Sequence, residues 1–272
     1  MSLSLRNLAV IFAFASAVPL TSCDDKTAPS AATAAALAPT APAATTPAPT
    51  AAAPATPAAP LAKPGSGVLT GSVTLDGKAP EMPELNRGAD AFCAKDKMRD
   101  EEVVVGAKGE LKNVIVRVMS APAMAGPEAP VDFAQDRCMY KPRVVGLVAG
   151  QTLKITNSDK TLHNIHTYKG TSTIFNVAQV PGMGPIEKHF NESGVLIKFK
   201  CDVHQWMVGW AWVQNNPLFA ITGDDGKFEI KGIPDGTWGV EAWHERFKMQ
   251  TGKVTVAAGK PTVWDVKFPV AP

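Results

Sequence analysis

From residue 67 onward, short segments of alternating apolar and polar residues recur, bounded by Gly, Pro, Asn and Asp. Residues 68–75, 113–118, 143–148, 153–157, 195–201 and 209–214 each read as strands, because a period of two places one set of side chains on a single face. After Pro217 the same pattern returns at 218–222, 227–231, 237–244, 252–257 and 261–268, with Gly223-Asp224-Asp225-Gly226 and Gly232-Ile233-Pro234-Asp235-Gly236 as turns. Helical periodicity is scarce. The pattern predicts an all-β protein built of packed sandwiches.

One strand carries chemistry. In 195–201, Val195, Ile197, Phe199 and Cys201 share a face, and Lys198 and Lys200 share the other. The thiol of Cys201 is therefore aimed at the core from the end of a buried strand. His204 and Met207 follow at Cys-x-x-His-x-x-Met spacing, and thiolate with thioether selects copper over hard cations. A fourth ligand is available upstream. The strand 153–157 runs into a turn at Asn157-Ser158-Asp159, and His163-Asn164-Ile165-His166 follows. Two His and one Cys in a plane with a weak axial Met make a blue-copper site. On these residues, over roughly 131–213, the chain resembles the cupredoxins, and its ligand spacing is most like that of the amicyanins.

The resemblance implies one type 1 copper held by His163, Cys201, His204 and Met207, in a Greek-key sandwich. It also implies that Asn164 ties the two ligand loops together by hydrogen bonds. It places the edge of His204 at the surface as the electron port, with Trp206 and Met183 around it. His166 lies three residues from His163, so on an extended segment it faces the other way. It is read as hydrogen-bonded or exposed, with replacement of His163 as ligand the alternative. His189 and His244 are read as structural.

The beginning of the chain carries export signals. A charge at Arg6 precedes the apolar run 8–20, and Leu20-Thr21-Ser22-Cys23 resembles a bacterial lipoprotein signal in which Cys23 is acylated. Residues 27–64 are almost wholly Ala, Pro and Thr, a composition that cannot bury a core. If largely polyproline-like at ~3.1 Å per residue, this tether reaches on the order of 100 Å. Of the four cysteines, Cys23 is then taken by lipid and Cys201 by copper. Cys93 and Cys138 remain, a pair expected to form a disulfide in an exported protein, with two free buried thiols as the alternative.

The stretch 222–236 resembles the carboxypeptidase regulatory-like (transthyretin-like) Ig-type domain, and 67–80 looks like the first strand and turn of the same family. Five strands after Pro217 are fewer than the ~7 of an Ig-like sandwich. This suggests that the smaller sandwich is discontinuous and the copper domain inserted into it; two sequential domains are the alternative. The expected organisation is a signal peptide at 1–22, a disordered linker at 23–66, N-terminal strands at 67–122, a cupredoxin-like copper domain at 123–216 and the Ig-type domain at 217–272.

The formal net charge of +2, with no basic run interleaved with aromatics, points away from nucleic acid. Five histidines, two already used, are too few for the second copper of a nitrite reductase or multicopper oxidase, and no Ser-His-acid set is evident, so no enzymatic activity is expected. The reading is a lipid-anchored periplasmic electron carrier, exchanging single electrons with redox proteins such as a cytochrome or a membrane oxidoreductase. The alternatives are a copper-handling lipoprotein and an anchored binding module.

Overall fold

The computed structural model describes residues 60–270. Cys23, the signal stretch and nearly all of the tether lie outside the described residues. The chain begins with β1 (Gly67–Asp76), runs irregularly through a short 3-10 turn at Cys93–Lys95, and forms β2 (Ile115–Val118). Nine strands follow: β3 (Val131–Asp136), β4 (Met139–Lys141), β5 (Val144–Val148), β6 (Thr152–Asn157), β7 (His163–Lys169), β8 (Ser172–Gln179), β9 (Ile186–His189), β10 (Val195–Lys200) and β11 (Val208–Gln214). The last six are β12 (Phe219–Ile221), β13 (Lys227–Ile233), β14 (Gly236–His244), β15 (Lys248–Val256), β16 (Thr262–Val263) and β17 (Val266–Pro269). The protein is all-β. Among the described residues no helix is long and apolar enough to cross a membrane.

The strands form two sandwiches. In the first, β1 lies between β13 and the pair β16 and β17, facing the sheet β12-β2-β14-β15. Val73 pairs with Val266, Thr70 with Glu229, and Val116 with Ala242. This sandwich is therefore built from both ends of the described chain. Everything from β3 to β11 is inserted between β2 and β12, and forms the second sandwich from the sheets β5-β11-β10-β7-β8 and β4-β3-β6-β9.

Alternation along the strands explains why the two sandwiches stay together. On β2, Val116 and Val118 enter the core of the outer sandwich, while Ile115 points the opposite way. On β11, Ala211 and Val213 enter the inner core, and Trp210 and Trp212 point outward. These outward residues meet Val144, Phe219 and Trp243 in a third apolar cluster. Gly146 makes the contact close, since a Cβ there would sit 2.1 Å from the Phe219 ring. A buried Arg143–Glu245 ion pair crosses the same interface, with the Trp210 indole N–H donating to Glu245. The result is four stacked sheets with one apolar layer in each gap.

Strands β3, β4, β8 and β9 escaped the sequence pattern, as did β7 beyond the extended stretch 163–166. The exposed edge strand β8 alternates weakly, and β9 is only four residues long.

Candidate metal centre

Strand β10 delivers Cys201. Ile197, Phe199 and Cys201 are fully buried, and the strand ends in a tight loop. Within that loop the Met207 N–H donates to the carbonyl of His204 (2.9 Å), and the Cys201 N–H donates to the carbonyl of Met207 (3.2 Å). The loop is thus folded back on itself, with Cys201, His204 and Met207 all buried. Strand β7 opens with His163 facing inward. Alternation then sends Asn164, His166 and Tyr168 to the opposite face.

His163, Cys201 and His204 come together. One donor atom from each lies within 4.8 Å of the others. His163 Nδ1 and His204 Nδ1 face each other at 2.9 Å, and the Cys201 sulfur is 3.8 Å from His204 Nδ1. Met207 is fully buried in the same core cluster as Cys201. Asn164 bridges the two ligand segments. Its Oδ1 accepts from the Asp202 N–H (2.7 Å) and from the Cys201 thiol (3.3 Å), and its Nδ2 donates to Asp202 (2.8 Å). His166 stands apart, bonded to Asp202 and Thr173.

Two carboxylates unmarked by any sequence motif complete the site. Asp159 Oδ2 faces His163 Nε2 at 2.8 Å and also accepts from the Cys138 N–H, while its Oδ1 accepts from the Arg137 N–H. Arg137 and Cys138 both hold positive φ at 56°, the tight-hairpin conformation that non-glycine residues adopt reluctantly, so Asp159 supports the turn that carries Cys138. Asp90 does the parallel work on the other side. Its Oδ1 accepts from the Phe92 and Cys93 N–H groups, and its Oδ2 meets His204 Nε2 at 3.2 Å and the Thr161 hydroxyl at 2.6 Å. The Cys93–Cys138 disulfide, with an S–S distance of 2.01 Å, links the segment that bears Asp90 to the hairpin that Asp159 holds.

The electrostatics follow from this arrangement. Burial pushes the Cys201 thiol up, but hydrogen bonds from His163 and neighbouring amides outweigh it, and its pKa falls below the usual thiol value. Burial would depress His163, but Asp159 and the Cys201 sulfur hold it above the ordinary imidazole range. His204 is lowered, by burial and then by the charge of His163. Burial raises Asp90, and its hydrogen bonds from Thr161, Cys93, Phe92 and His204 more than reverse this, to about 2.

This donor set fits a soft or borderline metal ion. A carboxylate on the outer nitrogen of each imidazole is the arrangement that orients metal-binding histidines and raises their basicity. With each Nε2–H donating to an aspartate, both Nδ1 lone pairs point into the same space, and such a pair is stable only with a proton or a cation between them. The thiolate, two imidazoles and a thioether suit copper better than a hard cation.

Solved structures similar to part of this chain are cupredoxins. A purple cupredoxin from Nitrosopumilus maritimus is 27% identical, matched over 31% of this chain and 99% of its own, with a TM-score of 0.28. Amicyanin from Paracoccus versutus is 23% identical over 36% of this chain and 97% of its own, with a TM-score of 0.29. A copper-containing nitrite reductase from Thermus scotoductus is 18% identical, over 36% of this chain and 25% of its own, with a TM-score of 0.29. No protein-family model and no curated protein matches the chain.

One expectation drawn from the cupredoxin resemblance is overturned. His204 does not reach the surface, being only 2% exposed. The segment 81–100 crosses over it as a strap. Asp90 occupies its outer nitrogen, the sulfur of Cys93 lies 3.6 Å from that nitrogen, and the Arg87 guanidinium sits 5.9 Å from the ring of Trp206, which is itself 5.1 Å from the His204 ring. Met183 is 44% exposed on the turn after β8. The strap is held by the disulfide and by Arg87, which donates to the carbonyls of Asp96 and Arg137.

Proposed function

We propose that this protein carries single electrons on one type 1 copper ion, which His163, Cys201, His204 and Met207 would hold. The observation that carries the reading is the convergence of two inward imidazole nitrogens and one thiol of lowered pKa in a fully buried pocket. Bound there, copper alternates between Cu(II) and Cu(I), one electron at a time. The chain supplies everything else. Asp159 and Asp90 fix both imidazole rings, Asn164 holds the Cys201 segment against β7, and Phe133, Tyr140 and Phe199 share the buried apolar cluster in which Cys201 lies. A site fixed this fully before metal arrives needs little rearrangement between oxidation states. Its burial also favours a carrier over a protein that hands copper on, since metal exchange needs an open approach.

The partners in this reading are redox proteins such as a cytochrome or a membrane oxidoreductase. The acylated Cys23 and the Ala/Pro/Thr tether would hold the domain at a periplasmic membrane surface. Metal titration with a redox readout tests the proposal. One copper per chain, reduced and reoxidised reversibly by one electron, is the expected result. Copper that is bound but removed rapidly by a mild chelator would favour the copper-handling reading instead.

A further inference from the structure

Cys93 and Cys138 are buried and joined to each other, and the backbone of each also anchors one carboxylate. Asp90 Oδ1 accepts from the Cys93 N–H at 3.1 Å and from the Phe92 N–H at 2.7 Å. Asp159 accepts from the Cys138 N–H and the Arg137 N–H at 2.7 Å each. One covalent link therefore fixes both acceptors. What each then faces is the outer nitrogen of an imidazole of the metal centre. Asp90 Oδ2 lies 3.2 Å from His204 Nε2, and Asp159 Oδ2 lies 2.8 Å from His163 Nε2. The Asp159 side chain is 3% exposed and that of Asp90 19%, and contacts so far buried are screened much less than surface ones.

We propose that Asp90 and Asp159 are positioning residues that hold the midpoint potential of the copper down, acting through His204 and His163. This inference rests on the copper reading above. A carboxylate that accepts the outer N–H of a ligand imidazole makes the inner nitrogen a stronger donor. Cu(II) carries one positive charge more than Cu(I), so stronger donors and nearby negative charge favour the oxidised ion. Each aspartate thus opposes reduction. Arg87, a buried cation of the same strap, acts in the opposite sense but touches neither ring nitrogen. The couple concerned takes one electron from a redox protein as Cu(II) becomes Cu(I), and no bond in the chain is made or broken.

The test removes each charge while keeping the size of the side chain. Midpoint potentials and visible spectra are recorded for copper-loaded wild type, Asp90→Asn, Asp159→Asn and the control Asp96→Asn. Asp96 sits on the same strap, but its carboxylate is bonded to Arg137 at 2.9 Å and is 45% exposed. The expected result for Asp90→Asn is a shift of the equilibrium toward Cu(I) of about tenfold, which is about 59 mV for one electron. Asp159→Asn should shift it in the same direction, and Asp96→Asn should keep the wild-type potential. Cu(II) affinity should fall more than Cu(I) affinity in both shifted variants. An unmoved or lowered potential in Asp90→Asn, or an equal rise in Asp96→Asn, would overturn the proposal. Asp159 also supports its hairpin, so a second measurement needs no substitution. Nitrogen-15 NMR of the wild type loaded with diamagnetic Cu(I) should show both Nε2–H protons protected from exchange, and free exchange of either would overturn the role of its aspartate. A wild-type protein with no thiolate-to-copper band would overturn the copper reading and this inference together. An intact band with unmoved potentials sinks only the inference.

Discussion

The two sandwiches bury different things. The outer one is held by an almost wholly apolar core, from Leu69 and Val73 on one sheet to Val116, Val240 and Ala242 on the other. The inserted one has an equally apolar centre at Phe133, Tyr140 and Phe199, but one end of it holds Gln135, Asp159, His163, Asn164, Gln179 and His204, all buried. Burying that many polar groups is costly unless each finds partners. Most do: Gln135 donates to Gln179, Asn164 to Asp202, and each imidazole faces a carboxylate, while Gln135 Oε1 has no partner among the described residues. The Nδ1 atoms and the thiol converge at the centre of this network. A buried polar network that converges on two imidazole nitrogens and a thiol is the mark of a site. The outer sandwich reads as support.

The sharpest way to break that division is to cut the support from the site. Glu245→Ala leaves Arg143 charged and buried at the interface, with only the longer contact to Asp100 at 3.6 Å. Its expected cost is about 3 kcal/mol, the low end for breaking a buried ion pair, since the charge loses its nearer partner and keeps the longer one. Chemical denaturation should show it, together with separate unfolding of the two sandwiches. A single transition at unchanged midpoint would mean that the apolar layer alone couples them.

The outer sandwich buries a few polar groups as well, among them Thr222, Glu241 and His244, and His244 is the one left short of a partner. His244 is fully buried against Phe247 and Phe268. Its Nδ1 accepts from the Arg246 N–H, and its Nε2 has no partner among the described residues. Burial, aided by the charges of Arg143 and Arg246, depresses its pKa from 6.5 to about 4. Above the unfolded value the residue is neutral in both states and adds no pH dependence. As pH falls, the unfolded chain takes up a proton that the folded chain refuses until about 4. The stability present above pH 6.5 is therefore lost over that window, by about 3 kcal/mol at about 1.4 kcal/mol per unit. His244→Leu should flatten the fall in stability over this range relative to wild type. An unchanged slope would place the acid sensitivity elsewhere.

The smallest expected effect concerns the strap. Asp90→Ala removes the acceptor of two amides and the Thr161 hydroxyl and should cost roughly 1–2 kcal/mol, comparable to losing a helix cap. Its more telling consequence is access. In the metal-free protein, His204 should become modifiable by diethylpyrocarbonate in Asp90→Ala and stay protected in wild type. Equal protection in both would mean that the disulfide and Arg87 close the site without Asp90.

The strand that carries the thiol was legible from the alternation of Ile197, Phe199 and Cys201 against Lys198 and Lys200, and the His204 and Met207 loop from its spacing. Those signals are local. The supports of the site are not. Asp159 belongs to a turn of unremarkable composition, and Asp90 lies more than a hundred residues from the His204 it holds, in a segment without periodicity. Neither residue type nor spacing distinguishes such an aspartate from a surface one. The closed edge of His204 was misjudged for the same reason, because the strap that covers it has no strand or helix pattern. The interface between the sandwiches left a trace: in β11 Trp210 and Trp212 alternate with Ala211 and Val213, so both faces are apolar, as in a strand covered on two sides.

The central claim is that the three converging atoms hold copper through the Cys201 sulfur. The most direct measurement is the visible absorption spectrum of the copper-loaded, oxidised protein beside that of Cys201→Ser. An intense thiolate-to-copper band in the wild type, bleached by a mild reductant and missing from the variant, is the predicted result. A wild-type protein that binds copper with only weak colour, or a band that survives in Cys201→Ser, would contradict the account.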